Sequence, residues 1–133
     1  MNETQKKRLF DVAKACREAP DPKQFNMGLY FHNCGTPSCA IGHYAAREDL
    51  HSGAVVFVNG VILIRRSSMW SIRGQEYFGI ALRELNELFE ATGCGRTWDE
   101  ETQEYGPSIT NNQAAEYIEA FVARKEAEAK PAS

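Results

Sequence analysis

The segment of the chain that decides the fold reads Ala54-Val55-Val56-Phe57-Val58, Asn59-Gly60, Val61-Ile62-Leu63-Ile64. Its two apolar runs are rich in β-branched residues, which favour strands. Asn and Gly both tolerate the positive φ angles of a type I′ turn, so the pattern predicts a β-hairpin with a two-residue turn. Both faces of this hairpin are apolar, and two strands alone are barely stable in water. We therefore expect helices to cover the hairpin.

Toward the amino terminus, the sequence shows the periodicity of two helices. Residues 4–18 form an amphipathic pattern, and Asn2 with Gln5 three residues later makes a capping box at its start. A second helix is expected over residues 37–49, because Thr36 followed by proline resembles an N-cap and a first helical residue. Both helices are candidates to pack on the hairpin.

Toward the carboxyl terminus, the periodicity predicts further helices. Residues 70–91 carry apolar side chains at helical spacing, with an interruption near Gly79. Thr110 and Gln113 form a second capping box for a last helix. The tail, residues 125–133, has no apolar face and is expected to fray. The predicted fold is α+β: a small, mainly helical domain of four to five helices packed on a central β-hairpin.

Length and charge exclude several classes of function. The chain has 133 residues, 43% of them hydrophobic, and a net charge of −3, which suits a single domain over residues 1–133. A nucleic-acid-binding protein of this size usually has a basic excess, so direct nucleic-acid binding is not expected. The longest apolar run is far shorter than the ~18 residues of a membrane span, and residues 1–8 precede no signal-peptide core. We expect a soluble protein of the cytosol without a membrane partner.

One short segment, from His32 to His43, concentrates residues that can carry chemistry: His-Asn-Cys-Gly-Thr-Pro-Ser-Cys-Ala-Ile-Gly-His. With Thr36 as N-cap, Cys39 is the third helical residue, and the helix dipole favours a thiolate there. His43 follows four residues later on the same helix face. The first interpretation is therefore a thiol-dependent enzyme in which Cys39 is the nucleophile and His43 its base.

Two other interpretations fit the same segment. A zinc ion can be held by a set of cysteines and histidines: Cys34, Cys39 and His43, with His32 or Cys94 as the fourth ligand. Such a site would make the chain a zinc-stabilised binding module. Alternatively, the cysteines are buried thiols, as is common in a reducing compartment. Because cysteine is among the most buried residue types, this last interpretation is favoured, and no cofactor and no catalysis are expected.

Several other residues are candidates for binding a partner. Residues 84–104 contain seven acidic side chains and one basic side chain, a run that fits either a solvated face or a surface docking on a basic protein. Tryptophan is enriched in binding hot spots, and the two tryptophans are candidates for exposed binding residues, although each could equally belong to the core. The candidate binding residues are Glu100, Glu101, Glu104, Trp98 and Trp70.

The chain also resembles a group of small, uncharacterised proteins from bacteriophages and prophages. The segment Cys34-Gly-Thr-Pro-Ser-Cys-Ala-Ile-Gly-His43 is similar to their C-G-T-x-x-C-x-x-G-[HW]-A motif, and Phe25-Asn-Met27, Phe78-Gly-Ile80 and Leu88-Phe89 resemble their other elements. The resemblance implies a phage-type accessory protein in the host bacterial cytosol. Such proteins commonly bind and disable a host protein or defence complex, as anti-CRISPR proteins do, so it implies a counter-defence inhibitor. It implies no catalytic residues, and the sequence selects no oligomeric state.

Overall fold

Six α-helices, one 3-10 turn and two antiparallel hairpins make up the secondary structure of the described residues. The computed structural model describes residues 1–27, 31, 37–58, 61–64, 70–89, 98–105 and 109–129. The helices are α1 (Glu3–Arg17), α2 (Ala40–Ala45), α3 (Glu48–His51), α4 (Trp70–Phe78), α5 (Leu82–Phe89) and α6 (Asn111–Ala129). The strands are β1 (Val55–Val58), β2 (Val61–Ile64), β3 (Trp98–Asp99) and β4 (Glu104–Tyr105), and the 3-10 turn is Pro22–Gln24. The predicted α+β class, a small helical domain packed on a β-hairpin, is confirmed.

Strands β1 and β2 pair in the register that the Asn-Gly pair predicts. Val58 pairs with Val61, and Val55 pairs with Ile64, which leaves two residues for a turn that lies outside the described residues. Val55, Ile62 and Ile64 are buried on the face toward the helices. On the opposite face, Val58 and Val61 are 43% and 48% exposed. The expectation that both apolar faces are covered is therefore wrong, because these two valines remain in contact with water.

Helices α1 and α6 pack against each other and form the most extensive helix–helix contact of the described chain. Their buried stripes are the predicted ones: Leu9, Val12, Ala13 and Cys16 in α1, and Ala114, Ala115, Ile118, Phe121 and Val122 in α6. Both predicted capping boxes are present: Asn2 and Gln5 exchange hydrogen bonds of 2.8 Å, and Thr110 and Gln113 make the same reciprocal pair. None of the helices within the described ranges combines the length and apolar sequence needed to cross a bilayer.

The start of α2 differs from the prediction. Its N-cap is Cys39 rather than Thr36, and Cys39 is extended, with φ −88° and ψ 178°. Pro37 pairs with Phe31 in an antiparallel β-bridge, so this proline belongs to an extended segment and does not open a helix. The single helix predicted over residues 37–49 is therefore wrong, and the two short helices α2 and α3 occupy part of that range.

The predicted interruption near Gly79 is present and separates α4 from α5. Gly79 has a φ of +67°, a left-handed conformation that a residue without a Cβ adopts at little cost. The N–H of Ile80 donates to the carbonyl of Gln75 at 3.1 Å, which closes the end of α4 as in a Schellman motif. The turn lets Phe78 pack on Phe89, with ring centroids 5.3 Å apart.

An ion pair holds the carboxyl-terminal part of α6. Lys125 Nζ lies 2.8 Å from Oε2 of Glu84 on α5. Burial opposes the charge on Glu84, but hydrogen bonds from Lys125 and from the N–H of Ala81 outweigh it and hold the pKa of this carboxyl below its usual value. The pair ties α6 to α5, and the helix continues to Ala129. The expected fraying of residues 125–133 stays a prediction, and the last four of these residues lie outside the described ones.

Candidate functional site

Cys39, the predicted nucleophile, has a structural role at the start of α2. Its side chain is fully buried, with 0% exposure. The sulfur Sγ accepts a hydrogen bond from the N–H of Gly42 at 3.4 Å, as the side chain of an N-cap residue does. The sequence pattern predicts Cys39 three positions further into the helix, as its third residue, whereas the structure places this thiol at the N-cap itself.

His43, the predicted base, lies one turn further along α2 and is 2% exposed. Its Nδ1 is 2.8 Å from the carbonyl oxygen of Cys39, and because a carbonyl only accepts, Nδ1 carries the hydrogen. The imidazole also packs on the ring of Phe25, with centroids 5.2 Å apart. The structure thus brings Cys39 and His43 together through a contact between the ring and the backbone. Their catalytic pairing stays a prediction.

The zinc hypothesis falls largely on residues that the structure does not describe. Cys34, His32 and Cys94 lie outside the described ranges. Within those ranges, no three His, Cys, Asp or Glu side chains converge as a metal-binding group. Zinc held by Cys34, Cys39 and His43 therefore stays a prediction, and the described pair uses Sγ of Cys39 and Nδ1 of His43 for hydrogen bonds.

Alkylation tests the three interpretations of Cys39. Because the thiols of Cys16 and Cys39 are both fully buried, we expect iodoacetamide to label them at least about 1,000-fold more slowly in the native protein than in denaturant. Site-resolved mass spectrometry against pH, with and without a chelator, gives the rates. Cys16 is the internal control, since it is equally buried but caps no helix. Rapid labelling of Cys39 below pH 7 with Cys16 protected would support the enzyme, and labelling only after chelation would support zinc.

The acidic residues proposed for binding lie on the second hairpin. Glu100 and Glu101 have exposed side chains between β3 and β4, and Glu104 lies on β4, where it pairs with the last residue of β3. Trp98 lies on β3. Trp70 is half-buried, and its ring packs on Phe89 with centroids 5.9 Å apart; its role in binding stays a prediction.

An apolar surface that sequence reasoning missed lies on the first hairpin. We call it the outer hairpin face; it consists of Val56, Val58, Val61 and Leu63. Val58 and Val61 are directly opposed and exposed, whereas Val56 and Leu63 are directly opposed and half-buried. The sequence did contain a signal for this surface, because both strands are apolar at every position. Side chains on a strand face that no helix covers therefore remain exposed.

A cavity of about 320 Å³, which we call the tyrosine cavity, lies between α1, α2, α3 and α4. The hydroxyls of Tyr44 and Tyr77 lie 2.7 Å apart in its lining, and Arg8 donates to the carbonyl of Tyr77 at 2.8 Å. Sequence reasoning did not identify this site, because its groups lie on three different helices: Arg8 on α1, Tyr44 on α2 and Tyr77 on α4. The available signal is a polar stripe at helical spacing: Thr4, Lys7, Arg8 and Asp11.

Among known proteins, no family model, no curated protein and no solved structure matches this chain. The resemblance to phage accessory proteins therefore stays a prediction.

Proposed function

We propose that this protein is a binding module that captures another protein through the outer hairpin face, and that the partner is a host protein or defence complex of a phage-infected bacterium. The observation that carries the proposal is the exposure of Val58 and Val61, at 43% and 48%, on a face that is aliphatic throughout. Contiguous exposed apolar side chains in a small domain mark interaction surfaces.

The outer hairpin face is suited to binding for two physical reasons. Apolar area removed from water contributes ~25 cal/mol per Å² to association. Valine on a paired strand has little side-chain freedom left to lose, so the entropic cost of ordering the interface is small. The opposite face of the same strands is anchored in the core by Val55, Ile62 and Ile64, which holds the surface in one shape.

The phage context of the proposal comes from the resemblance of the Cys34 to His43 segment to phage accessory proteins. The residues between β3 and β4, Glu100 and Glu101, form what we call the acidic turn, and they support a partner of basic character. Glu100 and Glu101 are adjacent and exposed, and charges of this kind steer a partner of opposite sign toward the interface. Together, an apolar face and an acidic turn fit a counter-defence inhibitor that docks on a basic protein surface.

Replacing Val61 with glutamate tests this function. We expect Val61→Glu to reduce capture of the partner at least about tenfold, because an unpaired carboxylate would be buried in an apolar interface. The tagged full chain and its variant are expressed in infected bacteria, and the captured partner is quantified by mass spectrometry. Phe10→Glu is the matched control. It introduces the same negative charge on α1, at a residue that is 41% exposed.

Circular dichroism and the melting temperature show that both variants are folded, as expected for exposed positions. Wild-type capture by Val61→Glu, or equal loss with Phe10→Glu, contradicts the proposal. Cys39→Ser should leave capture intact, since serine also caps a helix. Loss of function in a folded Cys39→Ser protein would favour the thiol enzyme instead.

A further inference from the structure

The tyrosine cavity is open to solvent, has a mostly polar lining and is large enough to hold a small polar molecule. Its volume of about 320 Å³ lies at the lower end of the range for ligand pockets. Its wall is formed by α1, by Tyr44 of α2, by the segment of α3 and the residues that follow it, and by Tyr77 of α4. It opens to solvent beside Lys7 and Ser52, whose side chains are exposed.

The charges of the cavity leave one cation without a counter-ion. Lys7 and Asp11 neutralise each other, with Nζ and Oδ2 2.7 Å apart. Arg8 makes no ion pair within the described part of the chain; its guanidinium lies over the ring of Tyr77, 4.0 Å from the centroid, and donates to the Tyr77 carbonyl. Since Lys7 and Asp11 cancel, Arg8 gives the lining a net positive charge. The lining also contains His51.

The imidazole of His51 is held in place by the backbone and does not bind Arg8. Its Nε2 lies 3.1 Å from the carbonyl of Ala45 and therefore donates there, while Nδ1 accepts from the N–H of Gly53 at 3.1 Å. Both nitrogens are thereby used by the backbone. The imidazole packs edge-on against Tyr44, with centroids 5.0 Å apart, which holds the phenol in place.

The paired tyrosine hydroxyls supply a neutral donor. Two hydroxyls carry two hydrogens, but one oxygen–oxygen contact uses only one of them. Burial, followed by the hydrogen bond with Tyr77, raises the pKa of Tyr44, so this hydroxyl keeps its hydrogen at neutral pH. Neither hydroxyl has a second acceptor among the described residues, which leaves one hydrogen for a ligand.

We propose that the tyrosine cavity binds a small molecule bearing an oxyanion, a carboxylate or a phosphate monoester, with Arg8 as its charge partner and the Tyr44–Tyr77 hydroxyl pair as its neutral donor. A planar guanidinium with unused N–H groups matches the oxygens of either anion. This site is independent of the outer hairpin face and of any protein partner.

Titration with two probe anions, inorganic phosphate and benzoate, tests the site in the full-length protein. We expect saturable chemical-shift changes at the amides of Gly53 and Ala54 in two-dimensional NMR, with a Kd in the millimolar range or below for at least one probe. Binding of phosphate alone assigns the site to phosphate monoesters, and binding of benzoate alone assigns it to carboxylates. Absence of any saturable change up to about 10 mM of both anions overturns the proposal, because a millimolar site would then be mostly occupied.

Variants show whether the proposed groups are responsible. Arg8→Gln should raise the Kd at least about tenfold, since a charge-assisted hydrogen bond is lost. Arg83→Gln removes the same charge from an exposed position on α5 outside the lining and should leave the Kd unchanged. Tyr77→Phe removes one hydroxyl without changing the ring and should raise the Kd severalfold, which keeps the test valid if Arg8→Gln does not fold. Equal Kd values for the wild type, Arg8→Gln and Tyr77→Phe would contradict the assignment.

Discussion

Replacing Phe78 with alanine is expected to lower the free energy of unfolding by about 3–5 kcal/mol. The ring is fully buried, with 0% exposure, and stands at the centre of an aromatic cluster. Its centroid lies 4.9 Å from that of Tyr77, 5.3 Å from that of Phe89 and 6.4 Å from that of Tyr44. Removing the ring loses apolar burial and leaves a cavity. The loss is large, because the total free energy of unfolding of a small domain is only about 5–15 kcal/mol.

Denaturant unfolding followed by circular dichroism measures this effect. Phe10→Ala is the matched control, because Phe10 is 41% exposed and its replacement should change stability by no more than about 0.5 kcal/mol. If Phe78→Ala does not fold, Phe78→Leu should still cost about 1–2 kcal/mol. Similar small losses at Phe78 and Phe10 would show that the aromatic cluster is not the centre of the core.

Replacing Gly79 with alanine should lower the free energy of unfolding by about 2–4 kcal/mol, from two sources. Gly79 has a φ of +67°, where a Cβ is strained. An added Cβ would also overlap the side-chain oxygen Oε1 of Gln5. Gln5 would have to move, although its side chain closes the capping box with Asn2 and donates to the carbonyl of Glu76 at 2.9 Å. The end of α4 and the start of α1 are thus destabilised together.

Gly53→Ala separates the two sources. Gly53 also has a positive φ, +81°, but nothing lies within 4 Å of the position of an added Cβ, so only the backbone strain of about 1–2 kcal/mol is expected. The same denaturant experiment compares both variants with the wild type. Equal losses at Gly53 and Gly79 would show that the contact with Gln5 contributes nothing.

The segment around Cys39 illustrates how far sequence reasoning reaches in the candidate site. The four-residue spacing correctly placed His43 one helical turn from Cys39, because that distance follows from helix geometry. The start of the helix was wrong, since the β-bridge of Pro37 with Phe31 is invisible to a pattern of caps and prolines. The shift makes Cys39 the cap, and its sulfur meets an amide of its own helix.

The tyrosine cavity could not be predicted, because its groups are far apart in the chain. Arg8 and the carbonyl of Tyr77 are separated by 69 positions, and Tyr44 and Tyr77 by 33. Each residue alone fits an ordinary role: a buried phenol in a helix, or an arginine beside the apolar stripe. Only the packing of α1 against α4 turns them into one site.

The sequence by itself determined the elements that depend on neighbours a few residues apart. These include the hairpin register around Asn59-Gly60, the capping boxes at Asn2 and Thr110, and the helix break at Gly79, since turns and caps are local interactions. Tertiary structure alone decided where α2 begins and which face of the hairpin meets water. Those outcomes depend on contacts between distant segments, whose free energies exceed the small local preferences of the chain.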